Sequence, residues 1–136
     1  MTTENHQKRT GALAGLTVLD LSRILAGPTA TQLLGDLGAE IIKIERPGKG
    51  DDTRAWGPPF LKDREGKDTE ESAYYLSSNR NKQSVAINLA SEEGRELIRQ
   101  LADGADILVE NFKVGDLARY ELDYETLSQR NPRLIY

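Results

Sequence analysis

The sequence contains no cysteine and only one histidine, His6, among its 136 residues. The lack of cysteine excludes disulfides, thiolate nucleophiles and metal sites built on cysteine. Because His6 lies in a polar N-terminal segment, a Ser–His–Asp triad or a histidine–carboxylate metal centre is also disfavoured. We therefore expect no metal in this chain.

Long apolar runs and an excess of basic residues are absent as well. No segment reaches the roughly 20 apolar residues needed to cross a bilayer. The opening MTTENHQKRT has no apolar core of a secretory signal. Lysine and arginine number 18 against 22 acidic residues, a net charge of −4, which argues against a nucleic-acid-binding surface. We expect no membrane or nucleic-acid partner and a cytoplasmic location, with a mitochondrial location as the alternative.

What the sequence does contain is a regular alternation of strand and helix patterns. Strands are predicted at 16–21, 40–45, 83–89 and 106–110, with a fifth beginning at 133–136 where the chain ends. Helices are predicted at 28–37, 91–102, 114–120 and 124–130, the first with an apolar face of Ala30, Leu33, Leu34 and Leu37. Residues 47–72, rich in proline and glycine, predict a long surface loop. The fold class is therefore α/β, a Rossmann-like open parallel sheet with helices on both faces, truncated in the fifth strand.

Ligands of such sheets bind at the carboxyl ends of the strands. The residues just beyond these ends are 22–26, Arg46, Ala90 and 111–113. Arg46 follows the second strand, where dinucleotide-binding domains contact the ribose, and an arginine there favours a phosphorylated ribose. The alternative is a surface arginine paired with Glu45 or Asp51. The first loop, SRILAGP, lacks Gly-x-Gly-x-x-Gly, so an NAD pyrophosphate clamp is not expected.

Four motifs occur in a fixed order: AGP, GDLGAEIIKIERP, NRNK and VENF. Together they resemble the class III CoA-transferases, the family of formyl-CoA, carnitine and succinyl-dicarboxylate CoA-transferases. The resemblance covers roughly residues 13–136. It implies a disordered polar tail over 1–12, a partial CoA-binding Rossmann-like domain over 13–136, and a chain that is an N-terminal fragment.

The resemblance also implies which residues contact CoA, the coenzyme acting as a substrate. The nucleotide phosphates would be held by Arg46 and Arg119, and the adenine side would be lined by 87–90. The full set implied is Leu25, Ala26, Arg46, Ile87, Asn88, Leu89, Ala90, Asn111, Phe112, Lys113 and Arg119. Formyl-CoA transferases carry glutamine where this chain has Leu25, which argues against formyl or oxalate specificity. Lys82 is either a further phosphate contact or a solvated lysine.

The family mechanism moves CoA between carboxylic acids through a covalent aspartyl intermediate. The matching aspartate is expected beyond the segment present here, and Asp51 and Asp52 are not expected to replace it. Substrates would be acyl-CoA and carboxylic acids, with dicarboxylates such as succinate and glutarate as candidates. The full-length parent would form an interlocked homodimer. The alternative is a non-catalytic CoA- or nucleotide-binding fragment, and in either case the chain alone is expected to show no acyl-CoA turnover.

Overall fold

A computed structural model describes residues 10–136. Its strands are β1 (Thr17–Asp20), β2 (Glu40–Glu45), β3 (Phe60–Lys62), β4 (Asp68–Ser72), β5 (Lys82–Ala86) and β6 (Ile107–Val109). Its α-helices are α1 (Ala26–Asp36), α2 (Ala73–Ser77), α3 (Glu92–Asp103) and α4 (Tyr124–Arg130), and short 3₁₀ turns cover Asp52–Ala55 and Ala118–Tyr120. Within 10–136, none of the helices has the length and apolar character needed to cross a bilayer. The predicted disordered tail lies largely outside the described residues.

Four strands form a parallel sheet in the order β5-β2-β1-β6. The first strand is central, and later strands extend the sheet on either side of it. This is the doubly wound order, in which the loops after β1 and β6 diverge at a topological switch point where ligands bind. The prediction of an α/β fold with a parallel sheet is confirmed.

The predicted fifth strand at 133–136 is reduced to one residue. Ile135 makes an isolated parallel bridge to Ile107, with its N–H donating to Asp106 O at 3.0 Å. Leu134 instead donates to Asn131 O at 3.0 Å, in a turn around Pro132. Because this turn occupies the preceding residues, only Ile135 is left to extend the sheet.

The two faces of the sheet differ in chemistry because side chains alternate along each strand. One face presents Leu19, Ile44 and Leu108, which pack in a core with Ile98 and Ala102 of α3. The opposite face begins with apolar side chains at the amino ends of the strands, where Val18 and Ile41 are buried. Towards the carboxyl ends it becomes polar and charged while remaining buried, with Asp20, Ser22, Lys43 and Glu45.

Helix α1 covers this polar face, and its predicted apolar face is buried only in part, with Leu34 packed against Val18 and Ile41. Thr31 and Gln32 are buried, whereas Leu33 and Leu37 remain 54% and 50% exposed. Thr31 Oγ1 donates to Asp20 Oδ2 at 2.6 Å. Thr31 faces inward because the sheet beneath it carries charge that needs hydrogen-bond partners, whereas Gln32 bonds to the backbone of Ser77 and Arg80.

The segment predicted as one long loop contains an antiparallel hairpin of β3 and β4, followed directly by α2. Ser72 caps α2, its Oγ accepting from Tyr75 N at 3.0 Å. Asp51 caps the 3₁₀ turn in the same way, accepting from Thr53 N at 3.0 Å. These local caps fix where each of the two short helical segments begins.

Candidate functional site

A cavity of about 190 Å³ lies beyond the carboxyl ends of the strands. Its lining includes apolar and aromatic side chains, namely Leu21, Ile44, Leu89, Phe112 and Tyr120. Arg23, Arg46 and Arg119 also line it. An apolar lining with a few guanidinium groups suits a flat ring system that carries negative charge.

Six of the eleven predicted site residues line this cavity: Arg46, Asn88, Leu89, Ala90, Phe112 and Arg119. Five do not, namely Leu25, Ala26, Ile87, Asn111 and Lys113. Ile87 is only 7% exposed and packs in the apolar core. Leu25 and Ala26 lie at the start of α1, and both are exposed. A ligand role for these five remains a prediction.

Asn111 uses its side-chain amide to hold the loop after β1. Its Nδ2 donates to Arg23 O at 2.8 Å, and its Oδ1 accepts from Arg23 N at 2.9 Å. Ile24 follows with a φ of 71°, a strained value for a β-branched residue. Its N–H donates to the Asp51 carboxylate at 3.3 Å. The loop is therefore fixed from both sides at the switch point.

Arg46 is exposed at the cavity, with 46% of its side chain accessible, and forms an ion pair with Asp52. Arg46 does not pair with Glu45 or Asp51, the two partners considered from the sequence. Glu45 pairs with Arg54 at 2.7 Å and Asp51 with Lys43 at 3.0 Å. The guanidinium therefore stays within reach of a ligand instead of being buried among carboxylates.

Behind the cavity lies an ionic layer made of Asp20, Lys43, Asp51 and Lys82. Lys43 and Asp51 pair with both side chains fully buried, and Lys82 Nζ lies 3.1 Å from Asp20 Oδ2. Burial lowers the pKa of Lys82 to about 8, although the Asp20 carboxylate opposes the shift. Lys82 also donates to Pro28 O at 2.7 Å. The expectation of a solvated Lys82 is wrong, because its side chain is only 1% exposed. A phosphate contact by Lys82 stays a prediction.

Glu45, at the end of β2, accepts a second group of buried hydrogen bonds. Arg54 binds it with two donors, Nε at 2.7 Å and Nη2 at 2.8 Å. Tyr75 and Ser84 donate to the same carboxylate at 2.8 and 2.7 Å. Burial alone would raise the pKa of Glu45, but hydrogen bonds from Arg54, Ser84 and Tyr75 lower it to about 2. The carboxylate is therefore ionised, and it fixes the backbone from which Arg46 extends.

Arg23 and Tyr120 belong to the cavity but were not among the predicted contacts. The Arg23 guanidinium lies 5.3 Å from the Phe112 ring centroid, and that of Arg119 lies 4.7 Å from the Tyr120 ring. Arg23 could have been predicted as a contact from its position, because it directly follows β1. Tyr120 could not have been predicted as a contact, because it belongs to a short turn with no strand end before it.

Comparisons with known proteins identify the family of this chain. The family model of CoA-transferase family III matches residues 13–136. The chain is 51% identical over 124 residues to a succinate–glutarate CoA-transferase of Agrobacterium fabrum, covering 91% of this chain and 31% of that protein. It is 52% identical to human succinyl-CoA:glutarate CoA-transferase, covering 91% of this chain and 27% of that one.

Among solved structures, a CAIB/BAIF family protein from Brucella suis superposes with a TM-score of 0.87 at 51% identity. The match covers 94% of this chain and 33% of that protein. The chain thus spans about a third of the length of the relatives it matches. With the family match running from residue 13 to residue 136, the resemblance of the four motifs is confirmed, and the chain belongs to CoA-transferase family III.

Proposed function

We propose that this chain supplies the CoA-binding part of an enzyme that transfers CoA between carboxylic acids. The observation that carries the proposal is the position of Arg46. It follows the second strand of a doubly wound sheet, where this fold contacts the ribose of a nucleotide. Its exposed guanidinium lies at a cavity of about 190 Å³ with an apolar and aromatic lining.

The cavity accounts for two chemical features of CoA. Leu21, Leu89 and Phe112 are among its lining residues, and they suit the flat adenine ring. Arg46 then binds the 3′-phosphate, since guanidinium pairs with phosphate through two parallel charge-assisted hydrogen bonds. Arg119 binds the pyrophosphate. The remaining length of CoA extends out of a cavity too small to contain it.

The transfer chemistry is proposed from the family. A carboxylate of an aspartate attacks the acyl-CoA carbonyl and expels the CoA thiolate, which leaves a mixed anhydride. The thiolate then attacks the aspartyl carbonyl, so that the donor acid departs and CoA remains on the enzyme. An acceptor carboxylate then attacks the aspartyl-CoA thioester and expels the CoA thiolate, which leaves a second mixed anhydride. The thiolate attacks the acceptor carbonyl of this anhydride, which releases the aspartate and the new acyl-CoA. Asp51 is unsuited to this role because its carboxylate is fully buried on Lys43 at 3.0 Å.

Dicarboxylic acids are the proposed substrate class, because the two relatives compared above are named for succinate, succinyl-CoA and glutarate. Assembly as an interlocked homodimer is proposed from the family alone. The non-catalytic alternative shares the same CoA site and differs only in turnover.

The proposal predicts that this chain binds CoA more tightly than dephospho-CoA, and that Arg46→Ala narrows the difference. We expect the variant to lose about tenfold to a hundredfold in CoA affinity, as for loss of one charge-assisted pair. Isothermal titration calorimetry with both ligands measures this. Arg64→Ala is the matched control, because Arg64 is exposed in the hairpin turn between β3 and β4. Equal affinity for CoA and dephospho-CoA in the wild-type chain would exclude the assigned role of Arg46.

A further inference from the structure

Asp52 joins two arginines at the cavity. Its Oδ1 accepts from Nη2 of Arg46, and its Oδ2 accepts from Nη1 of Arg23 at 3.3 Å. Arg23 follows β1 and Arg46 follows β2, so the carboxylate connects two neighbouring strand ends. One anion with an oxygen on each guanidinium is the arrangement that a phosphate group would also adopt.

The backbone of Asp52 is anchored, whereas its carboxylate is accessible. Asp52 begins the 3₁₀ turn capped by Asp51, and Asp51 is held by the buried Lys43. The side chains of Asp52, Arg23 and Arg46 are all 36% to 46% exposed. Ion pairs with this much solvent contact are weak, so an incoming anion can replace the carboxylate at small cost.

We propose that Asp52 is an internal anion that occupies the phosphate position between Arg23 and Arg46 and competes with the ligand phosphate for it. Without a ligand, its charge offsets the repulsion between the two guanidinium groups. A phosphate monoester carries nearly two negative charges at neutral pH, so it displaces the single charge of Asp52. A ligand with a free hydroxyl in place of the phosphate leaves Asp52 where it is.

This inference rests on the proposed CoA site, and Asp52→Asn tests it. The variant removes the negative charge that holds both arginines while keeping the size of the side chain. We expect its CoA affinity to rise about fivefold, the combined effect of removing two exposed ion pairs. Its affinity for dephospho-CoA should stay at the wild-type value. Asp68→Asn is the control, since Asp68 is exposed in β4 and pairs with Lys62, far along the hairpin.

Calorimetry on the three proteins with CoA, dephospho-CoA and inorganic phosphate separates the outcomes. Tighter CoA binding in Asp52→Asn alone supports the inference. Unchanged or weaker CoA binding overturns it and leaves the proposed function standing, since Asp52 would then be neutral or would orient the arginines. If no protein binds CoA but Asp52→Asn binds phosphate more tightly than wild type, the proposed function fails and the internal anion stands. No binding of any ligand by any protein overturns both.

Discussion

Asp51→Asn is expected to destabilise the chain by about 3–5 kcal/mol, the usual cost of leaving one partner of a buried ion pair without the other. Lys43 and Asp51 are both fully buried, with Nζ and Oδ2 3.0 Å apart. An asparagine keeps only one acceptor oxygen, so its NH₂ group would meet either the ammonium group of Lys43 or the N–H of Thr53, both of which now meet carboxylate oxygens. Urea unfolding followed by circular dichroism gives the free-energy change.

A double-mutant cycle with Lys43→Met identifies the cause. We expect Lys43→Met to be destabilising as well. The double variant should be less destabilised than the sum of the two single variants, and the difference should be about 1–3 kcal/mol. Asp68→Asn, which breaks only an exposed pair, should change stability by less than about 1 kcal/mol. Additive losses in the cycle would show that Lys43 and Asp51 do not stabilise each other.

Glu45→Gln is expected to lower the free energy of unfolding by roughly 3 kcal/mol at pH 7. The reason is the pKa of Glu45, which lies well below its ordinary value of 4.5 in the folded chain, at about 2. The hydrogen bonds from Arg54, Ser84 and Tyr75 outweigh burial and favour the ionised form. Because the folded pKa is depressed, the stabilisation is fully present above pH 4.5. It is lost as the pH falls from about 4.5 towards 2.

The gap in unfolding free energy between wild type and Glu45→Gln should therefore narrow across that interval. Urea titrations at several pH values between 2 and 7 measure it. Glu65→Gln is the control, since Glu65 is 73% exposed beside Lys67 and should follow wild type at every pH. A gap that is constant with pH would mean that Glu45 has an ordinary pKa in the folded chain.

The parallel sheet and the position of Arg46 could be predicted because both depend on local sequence. Apolar periodicity placed β2 at residues 40–45, as observed. The residue after the C-cap of α1, Gly38, has a φ of 106°, which glycine adopts without strain. The rule that ligands bind at strand ends then placed Arg46 at the cavity without any knowledge of tertiary contacts.

The buried charges could not be predicted in the same way. Lysine is almost never fully buried unless it is paired, and the partner of Lys82, Asp20, lies 62 residues away in sequence. The inward side of α1 depends on the same distant charges, because Thr31 bonds to Asp20. Likewise the amide of Asn111 is used by Arg23, 88 residues earlier. Each of these features depends on a long-range polar contact that periodicity does not encode.

The central claim is that Arg46 holds the 3′-phosphate of CoA, and phosphorus NMR tests it directly. The 3′-phosphate gives a resonance separate from the pyrophosphate, and its second pKa is near 6 in free solution. With the wild-type chain bound, we expect this pKa to fall, because a guanidinium favours the dianion, and Arg46→Ala should move it back towards the free value. A bound 3′-phosphate that titrates as in free CoA, while the pyrophosphate resonances shift, would contradict the claim.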